Sequence, residues 1–136
     1  MIYLFGFLIF YVLLIFSFFL GWKKINYKTC SSYRPSVSVV IALRNEESQV
    51  KRLLDNLLNL DYPNNLLQYI LINDHSTDDT YNLLLENKSE NLMILNMNEG
   101  EFGKKQAILK GVSLADGDVI ITSDADCSFN KNWIKK

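Results

Sequence analysis

The hydrophobic pattern changes character twice along the chain. Residues 1–22, MIYLFGFLIFYVLLIFSFFLGW, are apolar almost throughout and carry no charged side chain. As a helix they would span roughly 33 Å, close to the hydrocarbon thickness of a bilayer. The pattern predicts a transmembrane helix over 1–22. A cleaved signal peptide is the competing reading, disfavoured by the length of the run and by the absence of a basic segment before it and of a small-residue cleavage site after it. Lys23, Lys24, Lys28 and Arg34 follow directly, so the positive-inside rule predicts a single pass of the cell (inner) membrane with the following domain in the cytoplasm. Trp22 and Tyr27 suit the interfacial belt, and 23–36 reads as a polar linker ending near Pro35.

From residue 37 the apolar spacing alternates between two periods. Val37, Val39, Val40, Ile41 and Leu43 form a nearly continuous β-branched run, as expected of a strand buried on both faces. From Glu46 onward Val50, Leu53, Leu54, Leu57 and Leu58 recur at three and four, which predicts a helix broken by the Asp61–Asn65 stretch around Pro63. Tyr69–Ile72 is a second strand. Thr77 with Asp78 and Asp79 is expected to cap a helix with a stripe of Tyr81, Leu84 and Leu85. Leu92–Leu95 is a shorter third strand. After a loop over Asn96–Phe102, Ala107, Ile108, Gly111, Val112 and Ala115 mark a helix that leads to a fourth strand, Val119–Thr122. Strands separated by helices imply right-handed crossovers and an α/β, doubly wound, mostly parallel sheet. If the strand order is 3-2-1-4, ligands are expected beyond the carboxyl ends of the strands, where the order reverses between the first and the fourth.

Composition sharpens this picture. All 14 Lys and Arg and all 15 Asp and Glu lie after residue 22, for a net charge of −1. That balance argues against nucleic acid as the main partner, which would require clustered positive charge. Apolar content of 49% with low net charge excludes general disorder. Cys30 and Cys127 are the only cysteines, too few for a disulfide scaffold.

The strand ends therefore hold the candidate chemistry. Asp124 and Asp126, two residues apart after the fourth strand, would project to one side of an extended segment. Their oxygens suit a hard cation such as Mg²⁺ or Mn²⁺ completed by waters and phosphates. Asp74 ends the second strand, where a carboxylate can meet a base or ribose. Lys104 and Lys105 follow Gly100 and Gly103 at a helix start suited to a diphosphate. Arg44 and Glu46 flank Asn45 at the end of the first strand. His75, the single histidine, reads as a turn residue rather than a zinc ligand. No G-x-G-x-x-G or Walker sequence follows the first strand, and no Ser, His and Asp constellation is present.

Together PSVSVVIALRNEE, YILINDHSTDDT, GKKQAILKG and SDAD, in this order and spacing, resemble the N-terminal nucleotide-sugar-binding half of family 2 glycosyltransferases, over residues 35–133. The resemblance implies the GT-A fold, a Rossmann-like half-sheet, and inverting transfer from a UDP- or GDP-sugar donor to a saccharide or lipid-linked acceptor, with Mg or Mn on the diphosphate. It implies Ala42, Arg44 and Glu46 along the nucleoside, Asp74 on the base, Lys104 near the ribose or phosphates, Asp124 on the ribose and Asp126 on the metal. Where the family often has Pro, Thr or Tyr in the first motif this chain has Ala42 and Arg44. Asn73 replaces the first acid of the usual D-D-G-S, and His75 its glycine. The second half of the family, which supplies the acceptor site and the general base, is expected to be missing, so 37–136 reads as a truncated domain and no catalytic base is assigned. The expected function is a membrane-anchored enzyme of cell-envelope polysaccharide or glycolipid synthesis. The alternatives are a non-catalytic chain that keeps only donor binding or fold, and a different Mg-dependent enzyme, such as a nucleotidyltransferase or a toprim-type nuclease, in which Glu46, Asp124 and Asp126 would hold the metal. A half-domain is also expected to expose the edge of its fourth strand and one face of its sheet.

Overall fold

In a computed structural model, which describes residues 2–23 and 33–135, the apolar run forms α1, Ile2–Lys23. It is long and apolar enough to cross a membrane. The side chains of residues 3–23 are exposed on every side, with no polar face. Lys23 closes this helix rather than opening the linker. Of the expected linker, 24–32 lies outside the described residues, including Lys24, Tyr27, Lys28 and Cys30. Residues from 34 onward form a second unit. Their first residues are stitched to it: Tyr62 Oη donates to Pro35 O at 2.7 Å, and Ser36 donates to Asp118 Oδ2 from both N and Oγ.

That unit is built on β1, Val37–Leu43, buried along almost its whole length. Its two faces divide the core. Val37, Val39, Ile41 and Leu43 point into one layer with Leu53, Leu54 and Leu57 of α2 (Glu47–Leu58), together with Tyr69, Leu71 and Leu84. Val40 and Ala42 point into the other, against Ala107 and Val112 of α4 (Lys104–Ser113). A strand with helices on both faces has no solvent side, which is why its sequence does not alternate.

β2 (Leu67–Asn73), β3 (Leu92–Asn96) and β4 (Val119–Asp124) join β1 in a sheet of order β3-β2-β1-β4, with every pairing parallel. This is the expected order, and it puts the reversal between β1 and β4. Helix α3 (Thr80–Glu86) lies with α2 on one face. Helices therefore cover both faces over β1 and β2, so no whole face is bare, but they do not extend over β4. Exposure concentrates at β4, where Val119 and Ile120 are each about 40% accessible.

Three local expectations are corrected. α3 starts at Thr80, not behind a Thr77 cap, because Ser76 and Thr77 are engaged across the sheet edge as described below. Its buried residues are Thr80 and Leu84, with Tyr81 and Leu85 half-buried. β4 runs on to Asp124 and Ala125–Asp126 turns away, closed by Cys127 N donating to Asp124 O at 3.3 Å. Asp124 and Asp126 thus do not share one extended segment. The buried Ala125 between them is the anchor of the turn.

Candidate donor-binding cleft

At the carboxyl ends of β1, β2 and β4 lies a cleft of about 450 Å³, lined by Ala42, Leu43, Arg44, Glu46, Asp74, Gly103, Lys104, Asp124, Ala125 and Asp126. The seven residues given a donor or metal role by the resemblance all line it, whereas Lys105 does not. Leu43, Gly103 and Ala125 also line it, and all three lie within the motifs themselves. A larger cavity of about 670 Å³ sits at the opposite strand edge, between Leu58, Tyr69 and the Asn64–Asn65 and Ser89–Asn91 segments. Glu90 is its one charged residue, so it lacks the convergence of charges that marks a binding site.

The wall made by β1 and β2 is set by reciprocal bonds between their loops. Asn45 N donates to Ser76 Oγ at 2.9 Å, and Thr77 N donates back to Asn45 Oδ1 at 2.7 Å. Glu46 N donates to Thr80 Oγ1 at 2.8 Å, Glu47 N to Asp78 Oδ2, and Asp79 N to Glu47 Oε2. Asp78 also accepts from Thr80 N and Oγ1. Burial pulls the Asp78 carboxyl upward, but these hydrogen bonds from Thr80 and Glu47 outweigh it and hold the group below its usual value. Two non-glycine residues, Asn45 and His75, sit at φ 55° in these loops. His75 thus adopts the left-handed backbone that glycine takes most easily, at the position where the resembled motif has glycine.

Asp74 is the buried acid of the cleft, with its side chain 4% exposed. Its carboxylate accepts from Gly103 N at 3.1 and 3.3 Å and lies 3.0 Å from His75 Nδ1. Gly103 makes this approach at φ 98°, a conformation in which a β-carbon would be strained. The His75 ring packs on Phe102 with centroids 4.4 Å apart, and Lys110 Nζ grips Glu101 at 3.0 Å. That hydrogen bond and charge from Lys110 hold the Glu101 carboxyl below its usual value. Asn73 donates to Asn96 Oδ1 at 2.7 Å while its own Oδ1 accepts from Ser76 N. A carboxylate at this position would have no donor for Asn96.

The opposite wall is looser. Lys104, the first residue of α4, places Nζ 2.6 Å from Asp124 Oδ1, and both side chains are more than half exposed. Asp126 is exposed, and Arg52 Nη2 of α2 holds its backbone carbonyl at 2.7 Å. The side chains of Arg44, Glu46 and Asp126 make no ion pair among the described residues. No group of three or more His, Cys, Asp or Glu side chains gathers there as a cage. A free carboxylate at Asp126 with a second at Asp124 is an oxygen donor set that fits a hard divalent cation whose remaining ligands are phosphate oxygens and water.

Residues 38–136 match the glycosyl transferase family 2 model. The chain belongs to that family. Over 103 residues it is 37% identical to the beta-monoglucosyldiacylglycerol synthase of Nostoc sp., covering 74% of this chain and 22% of that protein. Its fold matches the mannosyltransferase PcManGT from Pyrobaculum calidifontis, solved with GDP-Man and Mn²⁺, with a TM-score of 0.72 and 26% identity over 88% of this chain and 36% of that one. S. aureus TarS 1-349, solved with UDP-GlcNAc, matches with a TM-score of 0.64 and 26% identity, over 74% of this chain and 29% of that one. With its four-stranded parallel sheet the chain thus has the GT-A fold of family 2, and it spans about a fifth to a third of the length of these relatives.

Proposed function

We propose that the cleft binds a UDP- or GDP-sugar together with Mg²⁺ or Mn²⁺, as the donor site of a membrane-anchored, inverting glycosyltransferase of glycolipid or cell-envelope polysaccharide synthesis. The observation that carries this reading is the convergence of Arg44, Glu46, Asp74, Lys104, Asp124 and Asp126 on one cleft at the switch point of the sheet. The family and the donor-bound relatives support it, as does the lipid product named for the Nostoc synthase. They favour glycosyl transfer over nucleotidyl transfer or nuclease chemistry.

In this reading Asp74 meets the base, Ala42, Arg44 and Glu46 flank the nucleoside, Asp124 takes the ribose hydroxyls and Lys104 the diphosphate. Asp126 would hold the cation, which when bound supplies positive charge to the leaving diphosphate. The guanidinium of Arg44 is planar and free to stack on the base. The acceptor is a saccharide or a lipid, and a chain anchored by α1 with its soluble unit in the cytoplasm suits a lipid-linked acceptor. This reading gives none of the residues in the four motifs the role of the acceptor's base.

Calorimetric titration of the full chain in detergent with UDP- and GDP-sugars, with and without Mn²⁺, tests the donor reading. Binding that requires the cation is expected, and no binding of any of these donors would refute it. A non-catalytic chain makes the same binding prediction, so transfer of labelled sugar to lipid extract by the chain alone is the measurement that separates enzyme from binder.

A further inference from the structure

The ion pair across the mouth of the cleft joins two groups that the donor reading sends to different partners. Lys104 Nζ rests 2.6 Å from Asp124 Oδ1, with 57% and 56% of the two side chains accessible. Asp126, two residues on, has no ion-pair partner among the described residues. In this state the two acids and the lysine sum to a single negative charge, and one of the two carboxylates is occupied. A divalent cation arriving alone therefore meets one free carboxylate and a nearby ammonium. That is a poor site for an ion that gives up its water reluctantly.

The pair is also easy to break. An exposed ion pair is worth little, because water and salt compete for both partners. The backbone beneath Lys104 is fixed by Gly103 N on the buried Asp74 carboxylate, while its four-carbon stem is free to swing. A diphosphate entering the cleft offers Lys104 two strongly charged oxygens and leaves Asp124 open.

Resting on the donor-site reading, we infer that Lys104 is a charge gate: without nucleotide it neutralises Asp124 and keeps divalent cations out, and with nucleotide it moves to the diphosphate, so that cation and donor enter together. Lys104 then has opposite effects on two affinities. It weakens binding of the bare cation and strengthens binding of the nucleotide. A residue that merely supported the fold would change both in the same direction.

The test uses the full chain in detergent. Mn²⁺ binding without nucleotide is read by the loss of the free-ion electron paramagnetic resonance signal, and UDP and GDP affinities are read by calorimetry at saturating Mn²⁺. Lys104→Met is expected to bind Mn²⁺ alone about three- to tenfold more tightly, the scale of removing one screened charge about 5 Å from a divalent ion. It is expected to bind nucleotide about tenfold more weakly. Lys104→Arg keeps the charge and should stay near the wild type in both. Mn²⁺ binding that is unchanged or weaker in Lys104→Met would overturn the gate. If instead the wild type binds neither UDP nor GDP at saturating Mn²⁺, the donor-site reading itself fails, whatever the variant does to Mn²⁺ alone.

Discussion

Replacing Gly111 by Ala probes the packing that sets the height of α4 above the sheet. A β-carbon at Gly111 would lie 2.4 Å from Val40 Cγ1 and 2.7 Å from Ile72 Cδ1, where carbon atoms prefer about 3.5–4.0 Å. Ile72 has a flexible end, but Val40 is a β-branched residue of the central strand, and both are fully buried. Relief therefore requires the helix to rise by about 1 Å. Overpacking of this kind costs about 1–3 kcal/mol, and removing a helix-interior glycine returns about 0.5–1 kcal/mol. The net expectation is a loss of about 1–2 kcal/mol, or roughly 5–10 °C in melting temperature for a unit of about 100 residues. Circular dichroism melts in detergent, with urea titrations to check that the m-value is unchanged, measure it. Adding Val40→Ala should recover part of the loss as a favourable coupling. Because Lys104 and Gly103 begin the same helix two turns earlier, nucleotide affinity should fall as well. A melting temperature equal to or above the wild type would refute the close-packing argument.

Asp126→Asn should weaken cation-dependent nucleotide binding at least tenfold by calorimetry, while leaving stability within about 0.5 kcal/mol, because the side chain is exposed and unpaired among the described residues. Tyr69→Phe removes the bond from the buried hydroxyl to Leu57 O at 2.6 Å and should cost about 1 kcal/mol in urea titrations. On acidification the hydrogen bond and charge of Lys135 on Asp61, the bonds of Thr80 on Asp78 and those of Lys110 on Glu101 keep the three carboxyls below their usual values. Their stabilisation is present above the unfolded values and lost as pH falls through the folded ones, so melting temperature should hold from pH 7 to 5 and drop below about pH 4. At the alkaline end burial pushes Tyr69 up to about 12 from 10.0. Its contribution is present below the unfolded value and lost as pH rises through the folded one, and Tyr69→Phe should erase that alkaline step.

The parts of the fold legible in the sequence are those that a single physical pattern decides. A β-branched run has one stable use here, a strand covered on both faces, and Val37–Leu43 takes it. Four such runs separated by helices leave few topologies, so the order β3-β2-β1-β4 and the position of the cleft followed. The misjudged parts are those where one side chain has two chemically equal partners. Ser76 and Thr77 can cap a helix or bond a neighbouring loop, and it is Asn45, distant in sequence, that draws them away. Asp124 and Asp126 read as an extended pair because spacing alone does not show that Ala125 has a core to turn into. Arg52 left no sign in the sequence, since its role depends on α2 crossing the turn after β4.

The two walls of the cleft differ in stiffness by more than any single contact suggests. On the β1 and β2 side six cross-loop bonds, between Asn45, Glu46 and Glu47 and the Ser76–Thr80 segment, act together. At about 1 kcal/mol each they resist deformation by several kcal/mol, and the Asp74 carboxylate is already oriented by Gly103. On the α4 and β4 side one exposed ion pair and one carbonyl contact hold the charged groups, worth about 0–1 kcal/mol for the pair. A ligand entering here meets a preformed surface at the end where shape and hydrogen-bond direction discriminate, and adjustable charges where a flexible, highly charged group must be followed. Rigidity where Asp74 sits and mobility at Lys104 are thus consequences of the same sheet: neighbouring parallel strands β1 and β2 bring their loops close enough to lock, whereas β4, at the edge, has a neighbour on one side only.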